Sequence, residues 1–144
     1  MEKEEMFALM NSNPVFYLAT VEDEQPRVRG MLLYRADENG IIFHTGIMKD
    51  VYKQIMKNPK VELCFNDFKK GVQLRVSGTL ELVDDRSLKE EITAHPSRLF
   101  LKGWKESGAM SDFYNELAVF RLHNGIANTW TMERNFAPKE NTNL

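Results

Sequence analysis

The chain has 144 residues, 42% of them hydrophobic and 28% charged, with a formal net charge of −2. This suits one domain, residues 1–144, whose single core buries roughly 70% of the surface an unfolded chain exposes. A pI near 5.9 excludes a global attraction for nucleic acid or an anionic membrane, so any anion must be held by a specific site. The lone cysteine, Cys64, excludes an intrachain disulfide and a cysteine-rich zinc site, and reads as a small core residue in "VELCF".

In chain order, "MEKEEMFALMNSNP" is acidic and lacks a long apolar segment. The expectation is a cytoplasmic protein with neither signal peptide nor membrane span. Met6, Leu9 and Met10 at helical spacing, with Pro14 beyond, predict a short helix over 3–11 lying across a barrel of strands. Strand-like runs come next at 15–21, 27–36, 41–45, 60–66 and 72–83, separated by the turn clusters "EDEQP", "DENG" and "DFKKG". A helix opens near Lys49, with Val51, Tyr52, Ile55 and Met56 as its apolar face. In 72–83 the alternation of Val72, Leu74 and Val76 with Gln73, Arg75 and Ser77 gives one buried face. Gly78 there predicts a bend of the kind that closes a small barrel. A charged stretch over 84–95 reads as helix and 96–116 as less regular. Leu117–Leu122 and Ile126–Met132 flank "HNG", whose Asn124-Gly125 predicts a hairpin. The pattern is a mainly β barrel of six to seven strands with two to three peripheral helices.

Two basic elements stand out. At "FHTGIMKDVYKQ" a strand ends on His44-Thr45-Gly46, and the helix after it begins at Lys49, with Lys53 and Lys57 following every four residues. Like charges at that spacing repel by roughly 0.2–0.5 kcal/mol per pair, and Lys49 opposes the helix dipole by a further ~0.3–1 kcal/mol. A solvated helix face tolerates both penalties. A hydroxyl, a glycine, free helix N–H groups and ammonium ions at one strand-to-helix corner nevertheless make a phosphate site. The second element is "QPRVRG", where Arg27 and Arg29 point to one face about 7 Å apart. Unpaired guanidinium groups inside a barrel are too costly, so these must face water or an anion. His95 and His123 show no metal-ligand spacing and receive no role.

Taken in order, "FYLATVEDEQPRVRGMLLY", "GIIFHTGIMKDVYKQIMKNPKVELCF", "VQLRVSGTLELVDD" and "NGIANTWTM" resemble the pyridoxamine 5'-phosphate oxidase-like, FMN-binding split-barrel family over nearly the whole chain. The resemblance implies an antiparallel Greek-key split barrel forming a homodimer, with FMN as cofactor at the subunit interface and its phosphate at the strand-to-helix corner. It implies cofactor-binding roles for Arg27, Arg29, His44, Thr45, Gly46, Lys49, Lys53 and Gln73. Trp130 is the aromatic nearest the flavin ring, or else a core or dimer-interface tryptophan on the last strand. Where the true oxidases carry Ser-Arg-Lys at the phosphate corner this chain has Lys49-Asp50-Val51, and their C-terminal Arg-x-His substrate signature is absent from "TMERNFAPKENTNL". "KDVYKQ" and "WTMERNFAPKE" look closer to the small stress-protein and nitroimidazole-resistance relatives. The implied activity is an FMN-dependent oxidoreductase of a small molecule, with no nucleic-acid or membrane partner. The alternatives are a non-catalytic flavin sensor or carrier, or a split barrel holding haem or a deazaflavin.

Overall fold

The computed structural model describes residues 1–144, which form strands β1 (Val15–Glu22), β2 (Gln25–Asp37), β3 (Gly40–Gly46), β4 (Lys60–Asp67), β5 (Val72–Leu82), β6 (Leu117–Leu122), β7 (Ile126–Thr131) and β8 (Thr142–Asn143). The helices are α1 (Lys3–Ser12), α2 (Asp50–Lys57), α3 (Arg86–Ala94), α4 (Leu99–Ser107) and α5 (Phe113–Glu116), with a 3-10 turn over Pro96–Arg98. Strand order is β4-β1-β2-β3-β6-β5-β7-β8, and β4 also pairs with β5. That extra pairing closes six strands into an antiparallel barrel, which removes its edges, and leaves β7 and β8 as a flap beside β5.

The barrel interior follows the two-residue period of its strands. Phe16 and Leu18 of β1, Leu63 and Phe65 of β4 and Leu74 and Val76 of β5 are fully buried. Phe16 stacks on Phe65 at 4.9 Å and meets Phe43 edge-on at 5.5 Å; truncating such a ring to alanine costs about 3–5 kcal/mol. One end is closed by α1, whose Met6, Leu9 and Met10 enter this core. Asn11 docks it by donating to the Ala36 carbonyl at 2.8 Å and accepting from its N–H at 3.0 Å. The other end is capped by α2 through Val51 and Ile55. A smaller core lies outside β3 and β6, where Ile42, Leu117 and Val119 meet Ile92, Leu101 and Phe113 of α3–α5. The outer face of β1 and β2 has no such cover: Tyr17 is 49% and Val28 70% exposed.

The predicted 117–132 hairpin does not form. Strands β6 and β7 do not pair; both run antiparallel along one edge of β5, β6 against Leu80–Leu82 and β7 against Val72–Ser77. Asn124 takes a left-handed φ of 59°, which turns the chain. Gly125 is required by space, since a Cβ there would lie 2.5 Å from Leu122 and 2.7 Å from Val76. The pair therefore makes a corner opposite Gly78, where β5 passes from one sheet to the other and where a Cβ would press on Leu122 at 3.2 Å. The bend expected at Gly78 is the split of the barrel. Residues 96–116, read as irregular, hold α4, α5 and the 3-10 turn, so five helices decorate the barrel.

Candidate functional site

On β2 the inward-facing row runs Leu33, Met31, Arg29, Arg27. It starts in the core and ends at the open mouth under α2, because Arg29 lies opposite Leu18 and Arg27 opposite Thr20 in the β1 ladder. The arginines thus occupy the core side of the sheet, beyond the point where the core stops. There they line a cleft of about 550 Å3 with Lys49, Glu22, Asp50 and Gln54.

Arg29 is held rigidly by neutral oxygens alone. Its Nη1 donates to the Leu18 carbonyl at 3.1 Å and to Thr20 Oγ1 at 2.7 Å, and its Nη2 donates to Gln54 Oε1. No carboxylate pairs with it, while burial, with a smaller push from Arg27, lowers its pKa. Gln54, only 6% exposed, organises the group: it also accepts from Thr20 Oγ1 at 2.6 Å and donates through Nε2 to Glu22 Oε2 at 3.2 Å. Glu22 in turn pairs with Arg27 at 3.1 Å. The Gln54 and Arg27 hydrogen bonds hold the Glu22 carboxyl below the usual range. The cleft therefore carries three cations against two carboxylates, one of them engaged by Arg27.

Lys49 is the residue before α2 and makes no side-chain cap. The first-turn N–H groups of Asp50, Val51 and Tyr52 have no carbonyl one turn back to bond, as at any helix start, and the helix dipole adds positive potential there. An unpaired guanidinium, an ammonium and free N–H groups on one cleft form the donor set a phosphate requires.

The other predicted residues lie elsewhere. Thr45 and Gly46 end β3 against Ala118 and Leu117 of β6. Gly46 closes the turn into α2 by accepting from the Lys49 N–H at 3.0 Å, but neither residue lines the cleft. Lys53 is exposed and also outside it, and Lys57 is taken by Asp23 of the β1–β2 turn at 2.8 Å. His44 turns toward the helical side, where its Nε2 accepts from Arg98 Nε at 2.9 Å. Arg98 is 2% exposed, has no carboxylate, and also donates to the Leu33 carbonyl at 2.7 Å. Burial first, and then this guanidinium, push the His44 pKa down to about 4, so the ring is neutral at neutral pH.

Gln73 and Trp130 are ladder partners on β5 and β7, on the opposite, outward face. Gln73 donates to Asn66 Oδ1 at 3.1 Å. Gln73 lies three strands and three residues from Arg29, roughly 17 Å along the barrel wall, and Trp130 lies one strand farther. Sequence reasoning missed Thr20, Gln54 and Arg98. For Gln54 a signal exists, since it lies three residues after Val51 and one before Ile55, in the stripe that faces the barrel. The apolar face expected from the sequence includes Met56 instead, which is half-exposed.

Residues 2–114 match the family described as pyridoxamine 5'-phosphate oxidase. The pyridoxine/pyridoxamine 5'-phosphate oxidase of Rhodopseudomonas palustris is 31% identical over 109 residues, covering 73% of this chain and 51% of that protein. The chain spans about half the length of this curated relative. A NimC/NimA family protein from Clostridium acetobutylicum superposes with a TM-score of 0.71 at 26% identity, over 98% of this chain and 92% of its own. A pyridoxamine 5'-phosphate oxidase-related, FMN-binding protein from Nostoc punctiforme shares the fold, with a TM-score of 0.68 at 16% identity over 99% and 96% of the two chains. With its six-stranded split barrel and a match over more than three quarters of its length, the chain belongs to the pyridoxamine 5'-phosphate oxidase family.

Proposed function

We propose that the protein binds FMN and serves as a flavin-dependent oxidoreductase of a small molecule. The observation that carries this reading is Arg29, a partly buried guanidinium fixed by three neutral oxygens, with no carboxylate, in a cleft that ends on the first turn of α2. A lone buried cation is costly unless an anion completes it. Arg29, Lys49 and the α2 N–H groups hold the phosphate, and Arg27 adds charge at the rim. FMN, once bound, supplies the electron transfer; the protein supplies binding, orientation and electrostatics.

Gln73 and Trp130 serve the ring. Because they lie on the opposite sheet face from Arg29, one chain cannot offer both halves to the same cofactor. The reading therefore includes a homodimer, in which one protomer holds the phosphate and its partner's flap meets the ring. The uncovered apolar face of β1 and β2 fits that contact, since exposed apolar patches of this kind mark interfaces. A fold neighbour from Nostoc punctiforme described as FMN-binding supports the choice of cofactor.

Purified protein reconstituted with FMN and separated from free cofactor tests the reading. A retained flavin spectrum that bleaches with NADH or NADPH, and returns on adding an electron acceptor, supports it. A retained flavin that no donor reduces points to a carrier or sensor, and a haem spectrum after expression refutes it.

A further inference from the structure

A second cavity, of about 200 Å3, lies against β5 and β7 beneath residues 134–140. Arg75, Arg134 and Lys139 line it, with Glu140 as its carboxylate. That carboxylate is already engaged by Arg134 at 3.0 Å. Arg75 has no carboxylate: its Nη2 donates to Asn128 Oδ1 at 3.3 Å, and its Nε is out of solvent with no acceptor. Its Nη1 makes no hydrogen bond within the chain, so the guanidinium keeps a free donor edge among the residues that line the cavity. Trp130 forms a wall, its indole N–H fixed on Asn135 Oδ1 at 2.9 Å, which ties the segment after β7 across the cavity.

We infer that this cavity binds a small planar organic anion, a one-ring carboxylate, with the carboxylate on Arg75 and the ring against Trp130. Charge selects the anion, because a guanidinium offers a carboxylate two parallel N–H donors. Size selects one ring, because the cavity is smaller than the roughly 300–1,000 Å3 of pockets for drug-sized ligands. The indole selects an aromatic or conjugated body over an inorganic ion, which cannot use an apolar wall. The site is separate from the Arg29 cleft. Only its neighbour rests on the flavin reading: with the flavin ring at Gln73 and Trp130, the carboxylate is the small molecule beside it.

The test uses Trp104→Phe protein, in which Trp130 is the remaining tryptophan, titrated with benzoate with and without FMN. Benzoate is expected to saturate the Trp130 fluorescence change, and benzyl alcohol to bind at least tenfold more weakly. Arg75→Gln should weaken benzoate at least tenfold and Arg134→Gln at least threefold, each moving FMN affinity less than twofold. Arg134 is exposed, so its variant reports even where Arg75→Gln misfolds. The inference is overturned by absence of saturation, by equal binding of benzyl alcohol, by displacement with equimolar inorganic phosphate, or by FMN weakening in step with benzoate. Benzoate binding in a protein that takes no FMN overturns the flavin reading and leaves this site standing.

Discussion

Replacing Arg29 by lysine keeps the charge and removes the fork. The guanidinium spans three acceptors, the Leu18 carbonyl, Thr20 Oγ1 and Gln54 Oε1, and a single ammonium cannot reach all of them while facing the cleft. Thr20 and Gln54 are buried, at 1% and 6% exposure, so each loses a donor without gaining water. Leaving such groups short costs about 1–3 kcal/mol. At about 3 °C per kcal/mol for a chain of this size, the FMN-free protein should melt roughly 3–9 °C lower. FMN loses a charge-assisted contact worth about 1.5–3 kcal/mol, a rise in Kd of roughly 10- to 150-fold. Arg27 is half-exposed and paired with Glu22 at 3.1 Å, so Arg27→Lys should change stability by less than about 0.5 kcal/mol and FMN affinity much less. Paired thermal melts and flavin-fluorescence titrations on the two variants decide it. Unchanged FMN affinity in Arg29→Lys, with a loss in Arg27→Lys, would refute the assignment.

The same geometry sets three more expectations. The His44 pKa is pushed down to about 4 from an ordinary 6.5, so the unfolded chain binds its proton first. Stability is therefore complete above pH 6.5 and falls as pH drops toward 4, by roughly 3 kcal/mol in all. His44→Gln should flatten that part of a urea-denaturation pH series, and an unchanged slope would contradict the buried His44 ring as its source. Light scattering should give twice the 16.7 kDa chain mass, and Tyr17→Glu on the uncovered face should yield monomers that lose FMN. A monomer with FMN tightly bound would rule out a cofactor shared between copies. Lys57→Ala removes only the exposed pair with Asp23 and should leave FMN affinity unaltered.

Much of the barrel is legible in the sequence because its strands alternate cleanly and its turns carry Gly, Asn and Asp. The split is not, because Asn124-Gly125 follows the sequence pattern of a hairpin while its corner depends on Leu122 and Val76 packing against Gly125. Helix α4 escapes notice because it is nine residues long with Gly103 in its middle, a residue that costs about 1 kcal/mol in a helix interior and reads as a breaker. In the candidate site, Arg29 and Lys49 are readable from charge and position. Their meeting with Gln54 depends on α2 folding back over the mouth of β1 and β2, a long-range contact no local window records. His44, beside Thr45, reads as part of the phosphate corner. The alternation of β3 instead sends it to the other face, where Arg98, 54 residues later, receives it.

A phosphate held at Arg29, Lys49 and the start of α2 is the central claim. Parallel titrations of wild-type protein with FMN and with riboflavin, which differ only in that phosphate, test it most directly. Two or more charge-assisted hydrogen bonds predict FMN binding at least ~100-fold tighter than riboflavin, with most of the difference lost in Lys49→Ala. Equal dissociation constants for the two flavins would contradict it.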